Sequence, residues 1–392
     1  MVGCRYNAKN SLDKNYLFFA EIYGASVRPE ATVSEIRPIY GPQDDGARYE
    51  VLYRRTTAWL NSPPQAIRAR SVILSAGVLG TVDLLLRCRD EANTLPLLSS
   101  RIGTKVHSNS EALMGVTARA SDVDYSRGVA ITSRFWVDEV TSVEPVRYSQ
   151  GSSAMRFIAL PLISTLQGTA VLRLGRLVSH IVQNPRDFAK TLFLPDWARD
   201  STIVLVMQTV ENRMHLKLGR RPLTLFRKNL VSKRDIKLPI PAIIDAGRIV
   251  VDKFAAKMNG ISQTTFNEVL LNTPSTAHIL GGCAVGEDES TGVVDTSLEV
   301  FNYPGLFVVD GSVIPGNLGV NPSLTITAMS ERAMSLIPPA ADAVERLPLE
   351  APAGFSSNDQ RHRQRNGSSF LYSLLILPML LLLVRYLLNK TR

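Results

Sequence analysis

The hydrophobic pattern of the first third of the chain predicts one helix followed by strands. Apolar residues recur at helical spacing over Ser11–Ala20. Alternating apolar and polar positions predict strands over Thr32–Pro38, Arg48–Arg54 and Ala66–Leu74, with turns rich in Gly and Pro between them. This order indicates a β-rich region with one short helix before it.

A second pattern directly follows these strands. The buried run that begins at Ser71 ends in Ala76 and Gly77, and a helix follows with Leu79, Val82, Leu85 and Leu86 on its inner face. A strand, small residues and a helix in that order form a βα turn, where the backbone can approach a ligand closely.

The remaining pattern is less regular until residue 276. Ile203–Thr209 predicts a strand, and the apolar stretch Met155–Val182 predicts one or two helices or an element that covers a substrate. Beyond Thr276, Leu306–Val309 predicts a short buried strand and Ser323–Ile337 a helix. We expect Leu324, Ala328 and Ala333 on the core side of that helix, with Ser323 capping it.

The C-terminal residues differ in character from the rest. Residues 339–369 are rich in Pro, Ser, Asn, Gln and Arg and predict a linker. Residues 370–388 are apolar over nearly the length that crosses a bilayer, which predicts an inserted membrane helix, with a docked or interfacial helix as the alternative. We therefore expect a membrane protein, and the three widely spaced cysteines favour a reducing, cytosol-facing setting for its bulk.

Composition and charge narrow the function only slightly. The chain has 392 residues, of which 45% are hydrophobic and 20% charged, so a disordered protein is excluded. Residues 213–237 hold nine Lys or Arg and one acid, a run that suits anionic lipid or a solvated hairpin. No nucleic-acid motif accompanies it. The three cysteines give neither a disulfide framework nor a metal pair, so no metal site is predicted.

Three segments carry candidate chemistry. His278 stands before Gly281-Gly282, although a lone histidine there is more often structural. The Gly- and Pro-rich loop from Asp310 to Ser323 has little side-chain bulk and opens a helix, an arrangement that suits a planar cofactor. Glu144 follows an apolar run, where a carboxylate is more often exposed or salt-bridged.

These segments together resemble the glucose–methanol–choline (GMC) oxidoreductases, and among them the cholesterol oxidase branch. The similarity extends over nearly all of residues 1–338 and is most specific in His278–Cys283 and Gly305–Met334. Ser71–Arg87 and Ala8–Leu17 are also typical of the family. The resemblance implies an α+β or α/β fold, with an incomplete Rossmann-like FAD-binding domain, a mixed-sheet substrate domain and a C-terminal hydrophobic helix.

The resemblance also implies a reaction. FAD would take a hydride from a hydrophobic alcohol, most plainly from the carbon that bears the 3-hydroxyl of a sterol. O2 would then reoxidise the reduced flavin and be converted to H2O2. His278 and Asn321 would hold the substrate hydroxyl, and Glu144 would shift the steroid double bond. A histidine suits removal of the hydroxyl proton near neutral pH. The cofactor positions implied are Val33, Ala76, Gly77, Asp310, Gly311, Asn321, Pro322 and Ser323.

The chain departs from the family at one important place. The G-x-G-x-x-G turn and the ribose-binding acidic residue that family members carry have no counterpart in the sequence. A truncated gene model, a fragment completed by another chain and a decayed pseudoenzyme would each explain this. A long-chain alcohol oxidase or dehydrogenase and a non-catalytic, membrane-anchored protein are therefore alternative functions.

The predicted organisation follows from the resemblance and the tail. Residues 1–102 form a partial FAD-binding domain, 103–275 a substrate-binding domain and 276–338 the C-terminal part of the FAD-binding domain. The linker at 339–369 and the membrane-seeking helix at 370–388 complete the chain.

Overall fold

Four β-sheets and seven α-helices form the part of the chain that the computed structural model describes, namely residues 7–58, 63–163, 168–193, 196–221 and 226–338. The predicted linker and membrane helix lie outside these residues. Within them, no helix is both long and apolar enough to cross a membrane.

The first sheet confirms most of the predicted strands. It is antiparallel, with β1 (Ala31–Pro38), β2 (Tyr49–Arg55) and β3 (Gln65–Ala69) in that order. The predicted strand Ala66–Leu74 is wrong in its length, because the chain leaves this sheet after Ala69. The first helix, α1 (Tyr16–Ile22), also begins later than predicted, since the side chain of Asn15 caps it by accepting from the N–H of Tyr16.

A short parallel sheet holds the predicted βα turn. β4 (Val72–Leu74) pairs with β15 (Leu306–Val308), and α2 (Gly77–Asp90) follows β4 directly. On α2 the side chains of Val82, Leu85 and Leu86 are buried as predicted, whereas Leu79 is 52% exposed. Leu79 lies in the first turn of the helix, on the side that faces solvent.

The largest sheet has six strands in the order β7-β8-β10-β6-β13-β9. Their bounds are β6 Ala112–Ala118, β7 Phe135–Trp136, β8 Thr141–Val146, β9 Ala159–Pro161, β10 Ser201–Gln208 and β13 Gly260–Thr265. Every described pair in it is antiparallel, so the predicted mixed sheet is wrong here. An antiparallel sheet can use each face differently.

The two faces of this sheet are indeed covered differently. On one face, α6 (Asp245–Lys257) packs Val250 and Val251 against Val204 and Val206 of β10. The opposite face carries Ile203 and Leu205 of β10 and is covered in part by Trp197. Further elements on the chain between β9 and β10 are α3 Ala170–Gln183, α4 Pro185–Phe193 and α5 Trp197–Asp200.

The apolar stretch predicted over Met155–Val182 resolves into three kinds of structure. A 3₁₀ helix (Ser153–Ile158) and β9 take up its beginning, and α3 takes up its end. A helix was therefore correct only for the second half. In α3, Leu177 is buried against Ile163 and Val269.

The fourth sheet carries the basic run noted in the sequence. Its order is β12-β11-β5-β14, with β5 Val106–His107, β11 Met214–Arg220, β12 Lys228–Arg234 and β14 Leu280–Gly281. The carboxylate of Asp235 lies 3.0 Å from both Arg213 Nε and His215 Nε2. Hydrogen bonds from the backbone N–H of Leu238 and from Arg213 hold the pKa of Asp235 below its usual range.

The last helix, α7 (Ser323–Leu336), agrees with its predicted position but not with its predicted inner face. Ala333 is fully buried, but Leu324 is 81% exposed and Ala328 is exposed as well. Ile326 and Met329 pack against the core in their place. The predicted domain boundaries at 102 and 275 stay a prediction, although the pairing of β5 with β14 joins the two sides of the second boundary.

Candidate active site

The histidine motif is held in place by two glycines. Gly281 and Gly282 have φ angles of +77° and +102°. A Cβ atom at Gly281 would lie 2.2 Å from the carbonyl oxygen of Lys105, and one at Gly282 would lie 2.9 Å from Val82 Cγ2. Only glycine permits this close approach of β14 to β5 and α2. The pair therefore fixes where His278, three residues before Gly281, enters the site.

A buried carboxylate meets the same motif. Glu111, which is 2% exposed, lies directly before β6. Its Oε1 accepts from the N–H of Ala277 at 3.2 Å, and its Oε2 accepts from Thr276 Oγ1 at 3.1 Å. Oε2 also lies 2.9 Å from His278 Nδ1. Glu111 is thus the nearest charged partner of the predicted catalytic histidine.

The glycine-rich loop is held by a second residue of the same segment. Asn109 is fully buried, and its Oδ1 accepts from the N–H groups of Leu318 and Gly319 at 3.0 and 2.8 Å. Its Nδ2 donates to the carbonyl of Val320 at 2.9 Å. Three hydrogen bonds from one side chain therefore fix the loop immediately before Asn321.

Two predicted site residues meet directly. Asn321 Nδ2 donates to Glu144 Oε2 at 2.8 Å. Glu144 is only 4% exposed, so its buried carboxylate obtains a hydrogen-bond partner from the loop. Ser142 on the same strand donates to the carbonyl of Gly319 at 2.6 Å and holds the loop against β8.

Within the described residues, no hydrogen bond joins His278 to Asn321 directly. Their link runs from His278 through Glu111 to Asn109, and from Asn109 to the loop that carries Asn321. We call Glu111, Glu144, His278 and Asn321 the polar cluster. Its members come from four separate parts of the chain.

An apolar cavity lies on the sheet face that also carries Glu144. In the register of the large sheet, Glu144 pairs with Leu205, which pairs in turn with Leu113, so the three residues share one face. The cavity is open to solvent, and its apolar lining includes Leu113, Tyr148, Met155, Ile158, Trp197 and Ile203. An apolar lining of this kind suits contact with a hydrophobic molecule.

The predicted cofactor residues of the βα turn and the loop converge at a separate place. Because β4 and β15 are parallel, residues 75–77 and 309–311 leave the sheet at the same carboxyl end. Ser75 Oγ donates to the carbonyl of Val309, and Thr81 Oγ1 donates to Asp310 Oδ2. We call these two stretches the carboxyl edge. The carboxylate of Asp310 is therefore used inside the protein, to join β15 to α2.

The carboxyl edge has room for a ligand. Ala76 is exposed, and a Cβ atom at Gly77 would meet no atom within 4 Å. α2 begins at Gly77 without a side-chain cap, so its first N–H groups are open to an anion. These features fit the pyrophosphate half of FAD, which the resemblance placed at Ala76 and Gly77.

Gly311 connects the carboxyl edge with the other motifs. A Cβ atom at Gly311 would lie 3.2 Å from Ile326 Cδ1 on α7 and 3.7 Å from the carbonyl oxygen of Ile279, the residue after His278. α7 begins at Ser323, and Pro322 at its N-cap makes no side-chain hydrogen bond. The predicted capping by Ser323 is therefore wrong, and the helix presents uncapped N–H groups near this junction.

Val33 stands apart from these residues. It lies on β1 in the first sheet and is 39% exposed. β1 contacts α2 through Ile36, whose N–H lies 3.4 Å from Cys88 Sγ near the end of the helix away from Gly77. The predicted contact of Val33 with the cofactor stays a prediction.

Glu111 and Asn109 are the residues of this site that the sequence reading missed. The polar run His107-Ser108-Asn109-Ser110-Glu111 directly before an apolar strand was the available signal. Polar residues at the end of a strand are common in loops, so the run by itself did not mark a site. Only the folded chain brings it to the His278 motif.

Comparisons with known proteins agree with the motifs. Residues 223–330 match the family described as GMC oxidoreductase. The chain is 41% identical over 338 residues to a protein named cholesterol oxidase from Acinetobacter baumannii, a match that covers 86% of this chain and 60% of the relative. A cholesterol oxidase from Mycobacterium tuberculosis is 40% identical over 356 residues, a match that covers 90% of this chain and 60% of the relative.

Among solved structures, pyridoxine 4-oxidase from Mesorbium loti is similar with a TM-score of 0.47 and 14% identity, over 78% of this chain and 57% of that chain. The chain spans about 60% of the length of the curated relatives it matches. Residues 223–330 therefore match the GMC oxidoreductases, and the chain is similar over most of its own length to two proteins named cholesterol oxidase.

Proposed function

We infer that the chain is part of an oxidase that binds FAD. This enzyme oxidises a hydrophobic alcohol, most directly the 3-hydroxyl of a sterol, with O2 as the electron acceptor and H2O2 as the product. The observation that carries this is the contact of Asn321 with Glu144 at 2.8 Å, on the sheet face that lines the apolar cavity. The relatives named cholesterol oxidase support a sterol as the substrate.

The chain's own residues have distinct parts in this proposal. FAD, when bound, supplies the acceptor for the hydride that leaves the alcohol carbon. His278 takes the hydroxyl proton, because an imidazole can accept a proton near neutral pH. The apolar cavity holds the hydrocarbon body of the substrate and excludes water from it.

Glu144 has a second part, in moving the double bond of the steroid. Its carboxylate removes a proton from one steroid carbon and returns it to another, which requires a base close to the hydrocarbon skeleton. The hydrogen bond from Asn321 holds Oε2 and leaves Oε1 for the substrate. Asn321 thereby orients the carboxylate and lies beside the predicted flavin position.

The carboxyl edge supplies the cofactor contacts in this proposal. The uncapped start of α2 and the open space at Gly77 suit the pyrophosphate, and the small residues Gly311 and Pro322 suit the ring. The N-terminus of α7 would stabilise negative charge on the flavin.

Cofactor binding and turnover provide the test. The purified full chain is mixed with FAD and desalted, the visible absorbance of retained flavin is recorded, and H2O2 release is followed with cholesterol and with a long-chain alcohol. Retained flavin and faster peroxide release with cholesterol are expected. A protein that stays colourless with added FAD would instead support a non-catalytic function, and a preference for the long-chain alcohol would replace the sterol.

We further propose that residues 370–388 attach the protein to a membrane, where a sterol is dissolved. The segment has nearly the apolar length that spans a bilayer. Flotation with phosphatidylcholine vesicles tests this: the full chain should float, a chain that ends at residue 369 should not, and equal behaviour of the two would contradict the proposal.

A further inference from the structure

One buried carboxylate in the polar cluster has no part in the proposed reaction. Glu111 is 2% exposed, and both of its oxygens face the motif that carries His278. Burial of a carboxylate is costly unless hydrogen bonds or a charge compensate it. A buried carboxylate at this position therefore indicates a function that an apolar side chain could not perform.

We propose that Glu111 is a positioning residue for His278, which keeps the proton of the neutral imidazole on Nδ1 and so leaves Nε2 as the nitrogen that can accept the substrate proton. The proposal rests on the function proposed above, because it concerns the same histidine. Its central statement, the tautomer of His278, can nevertheless be tested without FAD or substrate.

The contacts support this assignment. Glu111 Oε2 lies 2.9 Å from His278 Nδ1, while Oε1 and Oε2 also accept from the N–H of Ala277 and the hydroxyl of Thr276. An ionised carboxylate only accepts hydrogen bonds, so a proton on Nδ1 satisfies both groups, whereas a bare Nδ1 would place two lone pairs against each other. The partner of one ring nitrogen thus selects the state of the other.

The ring is close to its partner but not yet aligned with it. Nδ1 is buried and makes no hydrogen bond of regular geometry, despite the short distance to Glu111. Catalytic hydrogen bonds are often poorly aligned before ligands bind. A rotation of the His278 ring would convert the contact into a hydrogen bond.

The backbone around Glu111 indicates that its placement is specific. Asn109 and Ser110 have φ angles of +59° and +42°, two consecutive left-handed residues that are not glycine. Such conformations are uncommon in residues other than glycine, although asparagine adopts them more readily than most. Here they direct Asn109 to the 318–320 loop and Glu111 to the histidine motif, so one short segment fixes both halves of the polar cluster.

A second carboxylate–histidine pair provides a matched control. Asp235 Oδ2 lies 3.0 Å from His215 Nε2, on the hairpin of β11 and β12. There the carboxylate faces the other ring nitrogen, so the same chemistry predicts the opposite tautomer for His215. The two pairs lie on different elements, and the signals of both histidines appear in the same spectrum.

The experiment is a long-range ¹H–¹⁵N correlation spectrum of the full chain labelled with [¹⁵N]histidine, recorded at alkaline pH. The chain has five histidines, and the His278→Gln and His215→Gln variants identify the two signals. In the wild type, His278 should have its proton on Nδ1 and His215 on Nε2. In Glu111→Gln, whose amide can donate or accept, His278 should become a mixture while His215 keeps its pattern. Asp235→Asn should do the reverse.

Two results would overturn the proposal. One is a wild-type His278 with its proton on Nε2, a result that needs no variant and so stands even if Glu111→Gln fails to fold. The other is a folded Glu111→Gln protein, checked by circular dichroism, in which the pattern of His278 is unchanged.

A kinetic measurement separates positioning from substrate binding. In protein that turns over, Glu111→Gln should lower kcat by about 100-fold, because a misplaced proton acceptor slows the chemical step. KM should change little, since Glu111 does not line the cavity. A rise of KM with unchanged kcat would contradict the assigned role. Failure of the wild type to oxidise any alcohol would contradict the proposed function instead, and would leave the tautomer result intact.

Discussion

The carboxyl edge and the polar cluster are built in opposite ways. The edge is formed by backbone groups, by the uncapped N-terminus of α2 and by Gly77, which has open space in front of it. The polar cluster pairs two buried carboxylates, Glu111 and Glu144, with the half-buried side chains of His278 and Asn321. A surface that receives a cofactor needs space, whereas groups that handle protons need fixed partners. The polar cluster is therefore built entirely from side chains of this chain.

The largest expected effect is on the polar cluster. His278→Ala should lower kcat for sterol oxidation by about 100- to 10,000-fold, because the hydroxyl proton loses its acceptor. Peroxide release by FAD-loaded protein measures it. His180→Ala, on α3 and outside the cluster, is the matched control and should retain wild-type turnover. Equal rates for His278→Ala and wild type would remove His278 from the mechanism.

Glu144 should separate two reactions. Glu144→Gln keeps the shape and the contact with Asn321 but loses the base, so double-bond isomerisation should fall by about 100-fold or more, while alcohol oxidation changes less than about tenfold. Chromatography of the steroid products distinguishes the two ketones. Loss of both activities in equal measure would show that Glu144 serves oxidation itself.

Glycine substitutions should distinguish the edge from the packed motif. Gly281→Ala places a Cβ atom 2.2 Å from the Lys105 carbonyl oxygen and should destabilise the fold by about 2–3 kcal/mol in thermal unfolding. Gly77→Ala, in open space at φ +71°, should cost only about 1 kcal/mol but weaken FAD binding. Gly151→Ala, also in open space at φ +89°, controls for backbone strain and should bind FAD normally. Unchanged FAD affinity in Gly77→Ala would show that the carboxyl edge does not bind FAD.

The smallest effect concerns a buried acid outside the polar cluster. Burial raises the pKa of Glu268 to about 7, although the hydroxyl of Thr264 donates to its carboxylate. The folded state therefore holds its proton more tightly than the unfolded state. The resulting stability is complete below about pH 4.5 and is lost as the pH rises toward 7.

Glu268→Gln should abolish this loss. At pH 8 the variant should be more stable than wild type by on the order of 1–2 kcal/mol, measured by urea denaturation, and the difference should vanish near pH 4. Glu289→Gln, at an exposed position, should leave the pH dependence unchanged. A difference that is the same at both pH values would show that folding does not raise the pKa of Glu268.

The sequence predicted local elements better than their surroundings. β1, β2, β10, β15, α2 and α7 follow their predicted positions closely, because period and turn residues are local signals. The inner face of α7 was wrong, since Leu324 is exposed and Ile326 packs inward. Which face a helix buries depends on what covers it, and a periodic pattern with apolar residues on several sides does not decide this.

The same limit applies to the site. The contact of Glu144 with Asn321 joins residues 177 positions apart, and only the resemblance to a known family named both of them. Glu111 had no such guide, and its position depends on the left-handed turn at Asn109 and Ser110, which the sequence does not connect to the His278 motif. Motifs identify chemistry that is concentrated in sequence, whereas partners contributed by distant strands appear only in the fold.

The most direct test of the central claim, that His278 takes the hydroxyl proton while the cofactor at the carboxyl edge accepts the hydride, is a single turnover without oxygen. FAD-loaded protein is mixed anaerobically with cholesterol, and the loss of oxidised-flavin absorbance is timed. The wild type and Glu144→Gln should both lose it rapidly, and His278→Ala should be slower by about 100-fold or more. Flavin that stays oxidised in the wild type, or equal rates with and without His278, would contradict the account.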